Sequence, residues 1–346
     1  MRTRIVVLAL TVPLAAAILY GCGTTEMTAA KVHIQLGEYS EAIPLLEQET
    51  ANNPGNVEAY ILLGQCYCEV DNFASGSEAF YAADALIAAD PETKFREELD
   101  QTRMFYWSEA FDAGRIPFNE AMKLLDEEKN DEAAVKFREA IAGYEACDLI
   151  YDGHPKTQFM VGFSYERLEE YDKAFGAYGN AVVVKKEDME TNNFDKETNL
   201  ADYVTKYANA ALKTEHYGEA RQTLEDLVAD IPDDTNLLYA YAVLLLNMDD
   251  FDEADEVLER VVEIDPGNYA AVVAYGNLYL KEDWSGRDAR KAIDILEPLV
   301  ETEEHKDDYQ IYASLGKAYQ NLGDNKKAAE YYRKAEELFK AQTNGE

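Results

Sequence analysis

The chain has 346 residues, 47% of them hydrophobic, enough to bury a continuous core as two or three ordinary domains or as one long array. Nine Pro and 19 Gly are too few for a fibrous or disordered chain. The formal charge of −36, from 68 acidic against 32 basic residues, argues against a nucleic-acid binder, because such proteins neutralise phosphates with basic side chains.

Met1-Arg2-Thr3-Arg4 is a short basic start, followed by an apolar run from Ile5 to Tyr20 that Pro13 interrupts. The run is too short to span a bilayer comfortably and suits a secretory signal. It ends Leu19-Tyr20-Gly21-Cys22. This resembles the lipobox of bacterial lipoproteins, although Tyr20 stands where a small residue is usual. The resemblance implies a signal peptide at 1–21, cleavage before Cys22 and acylation of Cys22. Several acyl chains on one residue anchor firmly, where a single chain binds marginally. Gly23 in place of Asp resembles an outer-membrane sorting signal. The implied address is the bacterial cell envelope, lipid-anchored, at the outer membrane facing the periplasm.

Beyond Thr24 the sequence reads as helical hairpins. The first runs from Thr25 to Pro54 with its turn at Gly37-Glu38-Tyr39, and the second places Gly76 34 residues after Ala42. The spacing then breaks. Residues 91–113, containing Phe95, Phe105-Tyr106-Trp107 and Phe111, read as an inserted amphipathic helix opened at Asp90-Pro91 and interrupted at Gly114 and Pro117. Residues 114–188 carry the third and fourth hairpins, with Ala133, Phe137 and Ala140, then Gly162, Ala174, Tyr178 and Ala181. Lys185–Asn199 is polar and Asn-rich, and a mobile surface loop and hinge are expected there, centred on 189–200.

Residues 201–346 hold four more hairpins. Tyr217 to Phe251, Ala220 to Ala254 and Pro232 to Pro266 are each separated by 34 residues. A fixed period of this kind means stacked hairpins, since one hairpin alone cannot bury its apolar faces. The seventh hairpin has four extra residues around Trp284. The eighth carries Tyr312, Leu315, Gly316, Tyr319, Ala328 and Tyr332. That order of bulky residue, Leu-Gly, aromatic, Ala and aromatic resembles the tetratricopeptide repeat. The resemblance covers residues 25–342 apart from the insertions, with repeats 1–2 at 22–90. It implies an all-α, right-handed α-solenoid of about eight hairpins plus the extra helix.

No catalytic signature is present: no HExxH, GxSxG, phosphate-binding loop or dinucleotide fingerprint. His33, His154, His216 and His305 are far apart, and each is expected to be a surface or half-buried histidine. No metal and no cofactor is expected, and the chain is not expected to be an enzyme. Cys66 and Cys68 lie two apart on one helix and point to different faces, so they and Cys147 read as buried free thiols.

In the repeat family the first helix of each hairpin lines the concave groove. By alignment the groove is apolar in its N-terminal half, at Met27, Ile61, Phe118, Met122, Phe159 and Phe163. In its C-terminal half it carries Asn209, Lys213, Asn247, Asn277, Lys281, Lys317 and Gln320. Amides can clamp an extended backbone and lysines can hold carboxylates. The resulting expectation is a lipid-anchored envelope scaffold that binds proteins or peptide segments through this groove. It resembles repeat lipoproteins that serve outer-membrane assembly or pilus and secretion biogenesis. The alternatives are a small-molecule or glycan binder using Trp107 and Trp284 as platforms, or an envelope hydrolase.

Overall fold

A computed structural model describes residues 24–90, 92–151, 153–190, 195–196 and 198–343. The expected signal peptide 1–21 and Cys22 lie outside the described residues. Sixteen α-helices and no strand are found among them, arranged as eight antiparallel pairs. The chain divides into two compact units, one ending at Tyr106 and the other starting at Trp107.

The first unit contains α1 (Thr25–Leu36) paired with α2 (Tyr39–Asn52), and α3 (Val57–Glu69) paired with α4 (Phe73–Ala89). Its core joins Met27 and Ala30 of α1 to Ala42 and Leu46 of α2 and to Ala59, Leu63 and Cys66 of α3. Short polar residues start the helices: the Thr24 side chain accepts from the Met27 N–H, Asn56 from Ala59 and Asn72 from Ser75. Each satisfies one of the donors a helix start leaves open, which contributes about 1 kcal/mol.

The second unit holds the remainder of α5 (Arg96–Asp126), then α6 (Asn130–Ile150), α7 (Pro155–Arg167), α8 (Tyr171–Glu190), α9 (Leu200–Thr214) and α10 (Tyr217–Asp230). It continues through α11 (Thr235–Asn247), α12 (Phe251–Ile264), α13 (Tyr269–Leu278), α14 (Ala289–Leu296), α15 (Tyr309–Asn321) and α16 (Asn325–Thr343). One buried cluster runs from Ala174 of α8 to Ala328 of α16, and a second joins α5, α6, α7 and α8 around Phe118 and Phe137. Seven of the eight hairpin turns hold one residue in the left-handed region: Gly37, Asp71, Glu128, Glu169, Glu215, Asp249 and Gly323. The seventh pair is the exception, where the insertion around Trp284 replaces the tight turn.

Two expectations are corrected here. The inserted helix is not separate from the third hairpin: α5 is one helix of 31 residues that starts at Arg96 and passes through Gly114 and Pro117. Gly114 is a crossing point and not a break. A Cβ on Gly114 would lie 2.6 Å from the Tyr144 ring, and one on Gly143 2.5 Å from the Gly114 nitrogen, so α5 and α6 touch backbone to backbone there. Trp107, Ala110, Phe118 and Ala121 carry one buried stripe along the helix past Pro117, and their burial offsets the roughly 3 kcal/mol an interior proline costs. The second correction concerns Lys185–Asn199. Lys185 and Asp188 belong to α8 and are only 2% exposed, and Asp195 is 4% exposed, so these three charged residues are anchored in the interior.

Cys66, Cys68 and Cys147 are buried and free, as the spacing predicts. Burial pushes the Cys66 and Cys68 thiols up to about 12, with Glu69 adding to the effect. Thiolates are the reactive form, so all three should resist a thiol reagent in the native protein and titrate together once it unfolds. Fewer than three reacting under denaturant, or fast reaction in buffer, would overturn this.

Candidate protein-binding face

The first helices of successive hairpins in the second unit turn one apolar stripe inward and leave a polar row outward. Asn209 on α9, Val243 on α11 and Asn277 on α13 are spaced by 34 residues each, and Lys317 on α15 holds the same register position. Phe163 is the corresponding residue on α7. Asn209 is exposed, while Phe163, Val243, Asn277 and Lys317 are half-buried, so together they form a shallow strip. The next outward position holds Lys213, Asn247 and Lys281, all exposed.

Most of these side chains already have a neighbour. The Asn247 amide donates to the Val243 carbonyl of its own helix at 2.7 Å. The Lys213 ammonium lies 5.2 Å from the Tyr171 ring centre, in a shallow pocket with Glu169, Glu170, Asp172 and Glu215. Lys281 lies 5.3 Å from the Phe251 ring, and Lys317 pairs with Glu282 at 3.6 Å. Gln320 accepts from the Tyr332 hydroxyl at 2.9 Å. The lysines are thus held over aromatic faces or beside carboxylates, so the strip is charge-balanced and not a continuous basic track. Asn209 and Asn277 are its amide contacts.

At the apolar end the expected lining is partly overturned. Met27, Ile61 and Phe118 are buried core residues, and Phe118 packs against both Phe137 of α6 and Phe163 of α7. Phe159, Phe163 and Met122 are half-buried. Lys206, which alignment did not single out, bridges α9 to α7: its ammonium lies 4.5 Å from the Phe163 ring and 3.0 Å from Glu166. Burial raises the Glu166 carboxyl, but hydrogen bonds from Tyr178 and Lys206 more than offset it and hold the group below the usual carboxylate range. Trp107 and Trp284 are buried, with indole N–H groups donating to Thr157 at 3.1 Å and Asp252 at 2.7 Å. Neither offers an open platform for a sugar or small molecule.

Sequence reasoning missed two features. One is a buried polar cluster where α8 meets α7 and the start of α9. His154 stacks on Trp107 with ring centres 3.9 Å apart, and its Nδ1 accepts from the Lys156 N–H at 3.3 Å. The Lys185 ammonium donates to the Asp195 carbonyl, the Tyr203 hydroxyl donates to the Asp195 carboxylate at 2.5 Å, and Asp188 accepts from the Asp195 N–H at 3.3 Å. The signal was available: Tyr178, Ala181, Val182, Lys185 and Asp188 continue one helical stripe at spacings of three and four. The other is a set of aromatic donors on acidic acceptors across hairpin boundaries. Tyr241 donates to Glu225 at 3.1 Å, Tyr275 to Glu259 at 3.2 Å, Tyr319 to Glu297 at 2.9 Å, and Tyr279 to Asp255. These four phenols and four carboxylates tie neighbouring hairpins together, a bonding role that composition alone does not report.

No group of three or more candidate metal-ligating side chains occurs among the described residues, and no described helix is long and apolar enough to cross a membrane.

Stacked hairpins with a repeated polar strip on their first helices define a helical repeat protein of the binding type. Two models of the tetratricopeptide repeat match the chain, one at residues 33–94 and 211–274 and the other at 309–342. These stretches are tetratricopeptide repeats, which generally mediate binding between proteins. No curated protein matches it. Among solved structures it is similar to a tetratricopeptide repeat protein from Parabacteroides merdae ATCC 43184, at 16% identity and a TM-score of 0.43, over 82% of this chain and 93% of that one. It is also similar to the MamA protein, at 18% identity and a TM-score of 0.42, over 55% and 94%. A third similar structure is PilF of Pseudomonas aeruginosa, at 15% identity and a TM-score of 0.41, over 64% and 90%. The assignment rests on the repeat matches and on the hairpin packing.

Proposed function

We propose that the protein is a non-catalytic scaffold of the bacterial cell envelope, anchored through lipid on Cys22 at the outer membrane, that binds an extended peptide segment of a partner along the polar strip. Its service is the assembly of outer-membrane proteins or of a pilus or secretion apparatus. The observation that carries the binding reading is the repeated register position on α9, α13 and α15, where Asn209, Asn277 and Lys317 recur on a rigid stack. Asn side chains offer both a donor and an acceptor to a peptide backbone, which suits a segment without regular structure. Because the lysines are balanced by Glu282 and by aromatic faces, they select carboxylates at single points and do not draw in long anionic polymers.

Replacing Asn209, Asn277 and Lys281 together with Ala should leave the melt unchanged and abolish recovery of the partner in a pull-down from detergent-solubilised envelopes. An unaltered partner set would reject the strip as the site. For the address, Cys22→Ser should release the protein from the membrane fraction, and retention would reject the anchor.

A further inference from the structure

The last described hairpin, α15 and α16, presents a face that in every earlier hairpin of the second unit is covered by the next one. The residue four after the conserved-size Ala of the second helix marks it. Phe137, Tyr178, Leu224, Leu258 and Leu296 hold this position and are at most 1% exposed, whereas Tyr332 is 39% exposed. Phe339, two turns further along α16, and Leu322 at the end of α15 are also exposed. The slot has the shape that receives a helix, since the matching face of α12 receives α13.

Its chemistry is inverted relative to the α12 slot. Setting Ala254 against Ala328 aligns α12 with α16. In α12 the positions that meet the next hairpin are acidic: Asp252 accepts the Trp284 N–H at 2.7 Å, Asp255 accepts from Tyr279, and Glu259 accepts from Tyr275 at 3.2 Å. In α16 the same positions are Lys326, Ala329 and Arg333. Both cations are exposed and make no ion pair with a described residue. Residues 309–343 hold six Lys and Arg against four Asp and Glu, where residues 235–264 hold one against eight.

From this we infer that the α15–α16 face is a second docking surface whose occupant is an acidic amphipathic helix of another protein. Its apolar stripe covers Tyr332 and Phe339 and its carboxylates meet Lys326 and Arg333. A second copy of this chain fits less well. The helix that would stack in order, α1, exposes Val32 and Leu36 but carries only Glu26 as an acid. An anionic membrane is opposed by the −36 charge of the body.

The test places a photoreactive phenylalanine analogue at Ala329 of the full chain in its source cells, with exposed Val135 on α6 as the comparison site, and identifies the adducts by mass spectrometry. The expected result is an adduct with an Asp- and Glu-rich, helix-forming segment of another protein, at about ten times the Val135 yield. Lys326→Glu with Arg333→Glu should reduce that yield to the Val135 level without shifting the melt. If that pair destabilises the hairpin, Lys326→Gln with Arg333→Gln carries the comparison. An adduct with a second copy, with lipid or with a segment lacking acidic residues, or a yield equal to that at Val135, would overturn the proposal.

Discussion

Ala254→Trp should lower the melting transition of the second unit by a free-energy cost of about 1–3 kcal/mol or more, as overpacking of a closed core does. Ala254 is fully buried in α12, among Leu258, Val261 and the residues of α11. Ala220 on α10 and Ala328 on α16 hold the same place. Small side chains there set how closely the two helices of a pair approach, and interiors packed to crystal density have no room for an indole. The exposed neighbour Glu256 provides the comparison. Glu256→Trp should stay within about 0.5 kcal/mol, as surface changes do. Equal melts for the two variants would show that the hairpin packing is misassigned.

Stability should fall as the medium is acidified from pH 6.5 to pH 4, and His154 should account for much of it. Burial pushes this imidazole down from 6.5 to about 4; Lys156 and Lys185 act in the same direction, and Asp195 and Asp188 oppose it. Its Nδ1 accepts a backbone hydrogen bond, which requires the neutral ring. In the unfolded chain the ring protonates near 6.5, so the contribution is complete above that value. It is lost as the pH falls toward the folded value, amounting to about 2 kcal/mol at pH 5 and on the order of 3 kcal/mol at pH 4. Denaturant titrations at pH 7, 5 and 4 measure it. In His154→Phe, which keeps an aromatic ring against Trp107, the slope over this window should flatten. The same slope in both proteins would remove His154 as the cause. Below the window Asp195 adds a further loss. Burial raises its carboxyl, hydrogen bonds from Tyr203 and Thr198 outweigh that, and the net lowering stabilises the fold only while the group stays ionised.

Much of the architecture was legible because helical hairpins are written in local spacing. The 34-residue interval between Ala220 and Ala254 fixes where α10 and α12 lie, and Gly37-Glu38-Tyr39 marks the first turn. Gly114 and Pro117 misled for a physical reason. Both residues break an isolated helix, but at this crossing the missing side chain is what lets α5 meet α6, and tertiary packing outweighed propensity. The run Lys185–Asn199 misled because charge usually signals water. Here Lys185 spends its charge on an internal carbonyl, a pairing between residues ten apart that composition does not report. Asn209, Lys213, Asn247, Asn277, Lys317 and Gln320 lie on first helices while Lys281 falls three residues past the end of α13, and the neighbours of these side chains were not foreseen. Lys317 meets Glu282 through a fold contact between hairpins, and such contacts leave no periodic trace.

The aromatic donors that cross hairpin boundaries give the array a direction. The hydroxyls of Tyr241, Tyr275, Tyr279 and Tyr319 each come from the later hairpin and the carboxylate from the earlier one, with Tyr269 donating to Asp308 the other way. Equal length therefore does not make the units interchangeable. Transplanting the α15–α16 pair to an internal place would set Arg333 against a phenol that has lost its acceptor. Any shortened or shuffled version of this protein must keep its neighbours in their native sequence order.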